Sequence, residues 1–295
     1  MLRALASFFL LISITGIVLA SPTKDKVCTL PEGWNEVTAK DPRFVVFGEL
    51  HGTKETPAFI GNLLCALTQS EKRVLLAIEL WSIDDRGLQA VWEQPFEGFA
   101  EALRKDAWPA RQDGVGSEAM LDLVVEARSL KHSGHDIAVT AFSGVKDEDQ
   151  QKRFAHLPGQ GPHEAAQAQN IFDAAEASDF DLVIVLVGNL HARKDAISRG
   201  GITYDPMVKR LSAFDSVVSL DVRYGAGSYW ACIREDGETI CKSRPTGGYE
   251  VAKEAPHIAL DPRPEGKRNP RYDGYFWVGP ISASPPAVSS PLADK

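Results

Sequence analysis

Short runs rich in Val, Ile, Leu and Phe recur along this chain with helical patterns between them, and that alternation constrains its fold more than any other feature. The runs are Arg43 to Phe47, Arg73 to Ile78, Asp136 to Phe142, Leu182 to Val187 and Val217 to Leu220. Strands separated by helices predict an α/β fold, a mainly parallel β-sheet flanked by helices. The first helix is well marked, with Thr56 as its cap, Pro57 at its first position, and Ile60, Leu63, Leu64 and Leu67 on one stripe. Glu118 to Lys131 and His163 to Ala177 carry the same periodicity. Residues 81–111 hold Trp81, Trp92, Phe96, Phe99 and Trp108, too aromatic for a linker, and read as an inserted helical cover. After Leu220 the alternation stops. Ser228 to Arg244 reads as an antiparallel hairpin added to the main sheet near the C-terminus, and Tyr275 to Val278 as a run returning to a sheet edge.

The first twenty residues have the pattern of a secretory signal: Arg3, an apolar stretch from Phe8 to Leu19, and small residues before Ser21. A membrane anchor fits less well, because Ser13, Thr15 and Gly16 interrupt the stretch and no charged stop-transfer flank follows. No Cys directly follows the small residues, so soluble export, secreted or periplasmic, is expected without a lipid anchor. About 275 residues then remain, enough for one α/β domain over 21–280, with 281–295 too poor in apolar residues to pack and read as a loose tail. No second segment is long and apolar enough to span a membrane. The formal charge of −8 becomes −9 when Arg3 is removed, and no basic run occurs, which argues against a nucleic-acid partner and leaves a small-molecule or peptide substrate.

Four Cys in an exported chain make two disulfides plausible. A two-residue turn at Asp236-Gly237 would set Cys232 directly opposite Cys241, while a three-residue turn would shift the register by one. Cys28 with Cys65 would staple the N-terminal arm to the first helix. Their spacing lacks the close pairs of a zinc site.

Ligands of open α/β sheets bind beyond the carboxyl ends of the strands, and those ends are unusually polar here. The first runs into Gly48-Glu49-Leu50-His51-Gly52, the second ends in Glu79, and the fourth runs into Gly188-Asn189-Leu190-His191. A parallel sheet brings Glu49, His51, Glu79, Asn189 and His191 to one edge. Singly, each has a plainer reading: Glu79 as a cap or ion-pair partner, His51 as a turn residue, His191 as the start of a helix. Jointly that reading weakens, because glycines at 48, 52 and 188 let backbone approach closely where the polar side chains emerge. His132, His135 and His257 read as solvated, and His156 and His163 flank a loop that could close over the site.

Gly48-Glu49-x-His51-Gly52-Thr53-x-Glu55, the acidic strand end at Glu79, and Gly188-Asn189-x-His191-Ala192-Arg193 resemble the motifs of the superfamily uniting erythromycin esterases, ChaN haem-binding proteins and Tiki metalloproteases. The resemblance runs from about Arg43 to Val222, and Gln167 to Arg193 is closest to the ChaN branch. It implies a parallel α/β core with the site at its strand ends. By matching position, His51 would be the general base of an esterase or a ligand in a metalloprotease. ChaN relatives are lipid-anchored, and this chain lacks the corresponding Cys.

Three functions are compatible with these residues. In a hydrolase of ester or peptide bonds, His51, held by Glu49 or Glu79, would take a proton from water while His191 and Asn189 orient or stabilise the oxyanion. No Gly-x-Ser-x-Gly elbow is present, and Ser143 is the one serine at a strand end. A metal-dependent variant would place zinc, manganese or cobalt on His51, His191, Glu49 and Glu79. A haem-binding uptake protein would need an axial Tyr or His, with Tyr204, Tyr224, Tyr229 and Tyr275 available. A non-catalytic binding module would keep the glycines while the polar set drifted.

Overall fold

The computed structural model describes residues 28–250, 253–264 and 266–288. The expected signal segment lies outside them. In chain order the elements are α1 (Trp34–Thr38), β1 (Phe44–Glu49), α2 (Glu55–Gln69), β2 (Val74–Trp81), α3 (Asp85–Trp92), α4 (Phe99–Ala102), α5 (Glu118–His132), β3 (Ile137–Ser143), α6 (Glu148–Phe154), α7 (Gly161–Glu176) and β4 (Leu182–Gly188). They continue with β5 (Ile197–Arg199), β6 (Ile202–Tyr204), α8 (Met207–Leu211), β7 (Val217–Gly225), β8 (Gly227–Glu235), β9 (Glu238–Thr246), β10 (His257–Leu260) and β11 (Gly274–Pro280).

The main sheet has seven strands in the order β10-β11-β7-β1-β4-β2-β3, parallel throughout except for β10 against β11. Strands β1 and β4 are buried along their whole length because helices cover both faces, which is why they read as unbroken apolar runs. Alternation sorts their side chains: Val45, Phe47, Ile184 and Leu186 pack toward α2 and α5, while Phe44, Val46, Val183 and Val185 pack toward α7 and α8. The aromatic segment after β2 is helical, and Trp92, Phe99, Leu103 and Trp108 bury into the first of these cores. Chain order decides the site: β4 inserts between β1 and β2, setting the ends of three strands side by side at about 4.8 Å spacing.

Three local expectations are corrected. Helix α2 starts at Glu55 with Lys54 at its cap, so Thr56 and Pro57 lie inside the first turn. The Lys54 N–H finds Ser282 O, and the Glu55 carboxylate takes the Ser282 N–H and hydroxyl, so capping comes from a distant segment rather than from Thr56. The β8–β9 hairpin is a separate two-stranded sheet, not an extension of the main one. β7 runs on to Gly225 and is flanked by β1 and β11, which leaves no edge for the hairpin to join; polar Asp221 and Arg223 hid that continuation. The last segment, read as loose, is packed through Val288, with Ile281 and Ser284 buried. Its polar atoms serve α5: Pro285 O accepts from Glu118 N and Ser284 Oγ from Ala119 N, filling donors a helix start leaves open.

Asp236 and Gly237 both have positive φ, the two-residue turn that sets Cys232 opposite Cys241, and both expected disulfides are formed. Among the described residues no helix is long and apolar enough to cross a membrane. Phe276 is fully buried against the rings of Phe47 and Phe59, at 5.1 and 5.3 Å, and joins β11 to the α2 side of the core. Phe276→Ala is expected to cost about 3–5 kcal/mol, read as a lower denaturant midpoint with an unchanged slope.

Candidate active site

The first motif forms a tight turn at the end of β1, where Gly52 adopts φ +77°. A Cβ there would lie 2.2 Å from Trp230 O, and one on Gly114 would lie 2.4 Å from Gly52 N. Only glycines allow the hairpin, the turn and the loop after the cover to stack backbone on backbone. That stack holds His51 between Glu49 and Glu79.

The site is a chain of alternating acids and imidazoles. His51 Nδ1 lies 2.7 Å from Glu49 Oε1, and His51 Nε2 lies 3.4 Å from Glu79 Oε2. His191 repeats the pattern: its Nδ1 lies 2.8 Å from Glu164 Oε1 and its Nε2 3.5 Å from Glu79 Oε1. The Gly188 N–H donates to Glu79 Oε2 at 2.6 Å and the Met207 N–H to Glu164 Oε2 at 2.8 Å. The three carboxylates are 8% exposed or less, whereas the imidazole side chains are 29% and 23% exposed, so the rings form the accessible floor over a buried acidic layer.

This arrangement moves the ionisation of its members. Burial opposes charge on His51, but Glu79 and Glu49 outweigh it and push its pKa up to about 9. Burial likewise opposes charge on His191, and Glu79 and Glu164 raise it above the usual imidazole value. Glu79 is held below the ordinary carboxylate range: burial works against this, and the two imidazoles, the Gly188 N–H and Arg111 prevail.

Of the expected residues, Glu49, His51, Glu79 and His191 meet. Asn189 does not join them through its side chain, which lies beside Asp221 on β7. Its backbone instead fastens the turn, the N–H to Glu49 O and the carbonyl to Tyr272 Oη. His191 begins no helix and lies in a turn.

Several site residues were not anticipated. Glu164 sits in the first turn of α7 and is buried; its signal was available as Glu164, Gln167 and Asn170, polar residues at helical spacing on the face that packs on the sheet. His163 beside it lies in the first turn of the helix, as its periodicity implied, its ring 5.7 Å from that of His191. Burial and the neighbouring His191 lower its pKa, opposite in direction to the other two imidazoles. Arg111 and Asp113 arrive from the end of the cover. Asp113 takes the Arg111 fork, and the guanidinium lies 4.8 Å above Trp81.

A metal on the four expected ligands is not supported by this geometry. Glu49 engages Nδ1 of His51, the side of the ring away from Glu79, and therefore shares no centre with Nε2. Among the described residues no three His, Cys, Asp or Glu side chains are placed to hold an ion. The tyrosines considered for haem are likewise dispersed. Tyr204 is buried, Tyr224 packs edge-on to Tyr249, and Tyr275 lines a cleft of about 170 Å³, small for a macrocycle.

No protein-family model matches the sequence, and no curated protein matches it. Solved structures do share its fold. An erythromycin esterase mutant (EreC) in its open conformation aligns over 88% of this chain and 95% of its own, with a TM-score of 0.57 at 10% identity. A succinoglycan biosynthesis protein aligns over 86% and 92%, with a TM-score of 0.56 at 11% identity. A Bacillus cereus protein aligns over 85% and 92%, with a TM-score of 0.53 at 11% identity. A ChaN of Campylobacter jejuni with cofacially bound haem is also similar, but its TM-score of 0.40 is too low to place ligands. The chain has the fold that the motif resemblance implied.

Two outcomes follow from the His51 environment. A Cβ at Gly188 would lie 2.7 Å from His51 Nε2, so Gly188→Ala should displace the ring and return the His51 titration, followed by NMR, toward about 6.5. Because the folded pKa lies above the unfolded one, the His51 contribution to stability is complete below about pH 6.5 and is lost as pH rises through about 9. Melting curves from pH 6 to 10 should show that decline, and His51→Phe should remove this component of it.

Proposed function

We propose that the protein is an exported hydrolase of ester or peptide bonds that works without a metal, with His51 as the proton-transfer residue. One observation carries this reading: two imidazoles, each fixed at Nδ1 by its own buried carboxylate, turn their Nε2 atoms toward the same carboxylate, Glu79. Burying three acids and two bases together is costly unless they pair or act, and perturbed groups converging at strand ends mark functional sites. The fold shared with an erythromycin esterase and the two disulfides are consistent with this reading and with export.

In this mechanism Glu49 fixes the His51 ring and its tautomer, leaving Nε2 as the position that exchanges a proton with water. Neutral His51 takes a proton from a water above Glu79, and that water adds to the carbonyl carbon of the substrate. The His191 imidazolium, oriented by Glu164, stabilises the negative charge that develops on the carbonyl oxygen. Asn189 acts through its backbone, whose N–H and carbonyl fasten the turn to Glu49 and Tyr272. His51 Nε2 then returns the proton to the departing oxygen or nitrogen. No serine or cysteine nucleophile is needed; Ser143 is buried and bonded to Gln167.

With p-nitrophenyl acetate and a fluorogenic peptide as probes, His51→Ala, assayed below its own Tm, should lower kcat at least 100-fold. A large fall in Tm with activity retained would assign His51 to structure instead. Since His51 is charged at neutral pH, a basic role makes kcat/KM rise with pH to a plateau above about 9. A rate that falls through about 9 would give His51 the acid role. Dialysis against a chelator should leave turnover unchanged.

A further inference from the structure

We infer that the cleft between β7, β11 and the loop through Tyr272 is a binding site for a small carboxylate, held by the guanidinium of Arg223. Arg223 and Asp221 lie two residues apart on β7 and so face the same side of the sheet. The Arg223 guanidinium is 4.3 Å from the ring centre of Tyr275 on the neighbouring strand and 5.5 Å from that of Tyr249. Packing against these two rings fixes the plane of the guanidinium while supplying no acceptor for its N–H groups.

Its lack of a partner sets this residue apart. Every other buried or half-buried arginine among the described residues hydrogen-bonds a carboxylate or a carbonyl: Arg43, Arg73, Arg104, Arg111, Arg128, Arg193, Arg210 and Arg244 all do. Arg223 makes no hydrogen bond or ion pair with any described residue, although Asp221 is near enough to act on it through space. Asp221 Oδ1 is itself buried without a partner. Were this a structural ion pair, the two groups would close on each other. Instead, a half-buried guanidinium whose N–H groups meet no protein acceptor lines a cleft of about 170 Å³.

The walls select the occupant. Tyr272, Tyr275 and Leu260 are apolar-sided, Asn269 adds a polar group, and Arg263 is already neutralised by Asp261. Arg271 adds positive potential at Asp221 alongside Arg223. A planar fork between aromatic faces suits a flat, two-oxygen acceptor on a short apolar stem. The hydroxyl of Tyr272, which lines this cleft, donates to Asn189 O at 2.8 Å, linking the cleft to the turn that carries His191.

NMR titrations of the disulfide-intact protein with sodium propionate, and separately with inorganic phosphate, test the assignment. Propionate should bind saturably at one site, with Kd at least tenfold weaker in Arg223→Met and unchanged in His51→Ala. Arg223→Lys, which keeps the charge but not the fork, should bind at least threefold more weakly than wild type and remains informative if the Met variant does not fold. The assignment is overturned if wild type does not bind propionate saturably, if either Arg223 variant binds it as well as wild type, if His51→Ala abolishes binding, or if phosphate binds and propionate does not.

Discussion

A single buried carboxylate organises this molecule. Glu79 emerges at the end of β2, accepts the Gly188 N–H from β4, and faces the Nε2 atoms of His51 and His191. In a low-dielectric setting an unpaired carboxylate would be untenable, so two separate segments, the turns after β1 and β4, deliver positive or donating groups to within about 3.5 Å of it. The same requirement explains the outer acids. With Nε2 of both imidazoles turned toward Glu79, their Nδ1 positions need partners on the far side, and Glu49 and Glu164 supply them.

Close backbone approach is the second condition. Gly52 lies against the Trp230 carbonyl and Gly114 against Gly52, while Gly188 lies beneath His51. Together with the Trp230 N–H to Gly52 O bond, these contacts tie the β8–β9 hairpin and the loop after the cover to the turn that carries His51. The hairpin thus walls the site, a role open to it because β11 occupies the side of β7 it would otherwise have joined. Apolar packing on the two sheet faces supplies the rigidity on which ångström-scale placement of the imidazoles depends.

What the chain declares locally and what it leaves to assembly divide by the range of the interaction. The alternation of strand and helix, the Asp236-Gly237 turn with its Cys232–Cys241 register, and the polar strand ends at Glu49, Glu79 and His191 were legible, because periodicity, turn chemistry and strand polarity are written in neighbouring residues. Glu164 was hidden because a carboxylate in an alanine-rich helix reads as solvent-facing until a sheet is packed against it. The continuation of β7 past Leu220 was hidden because Asp221 and Arg223 broke the apolar run, although Arg223 lines a cleft beside the strand.

The sequence alone therefore determined the class of fold and named four of the residues that meet at the site, since strand ends in a parallel sheet converge whatever the detailed packing. Only the tertiary structure decided that Asn189 turns its side chain to Asp221, that Glu164 completes the second acid–imidazole pair, and that the final segment caps α2 and α5. Each of these joins residues tens to hundreds of positions apart, and such pairings are set by which surfaces the folded layers bring into contact, not by any pattern within a single segment.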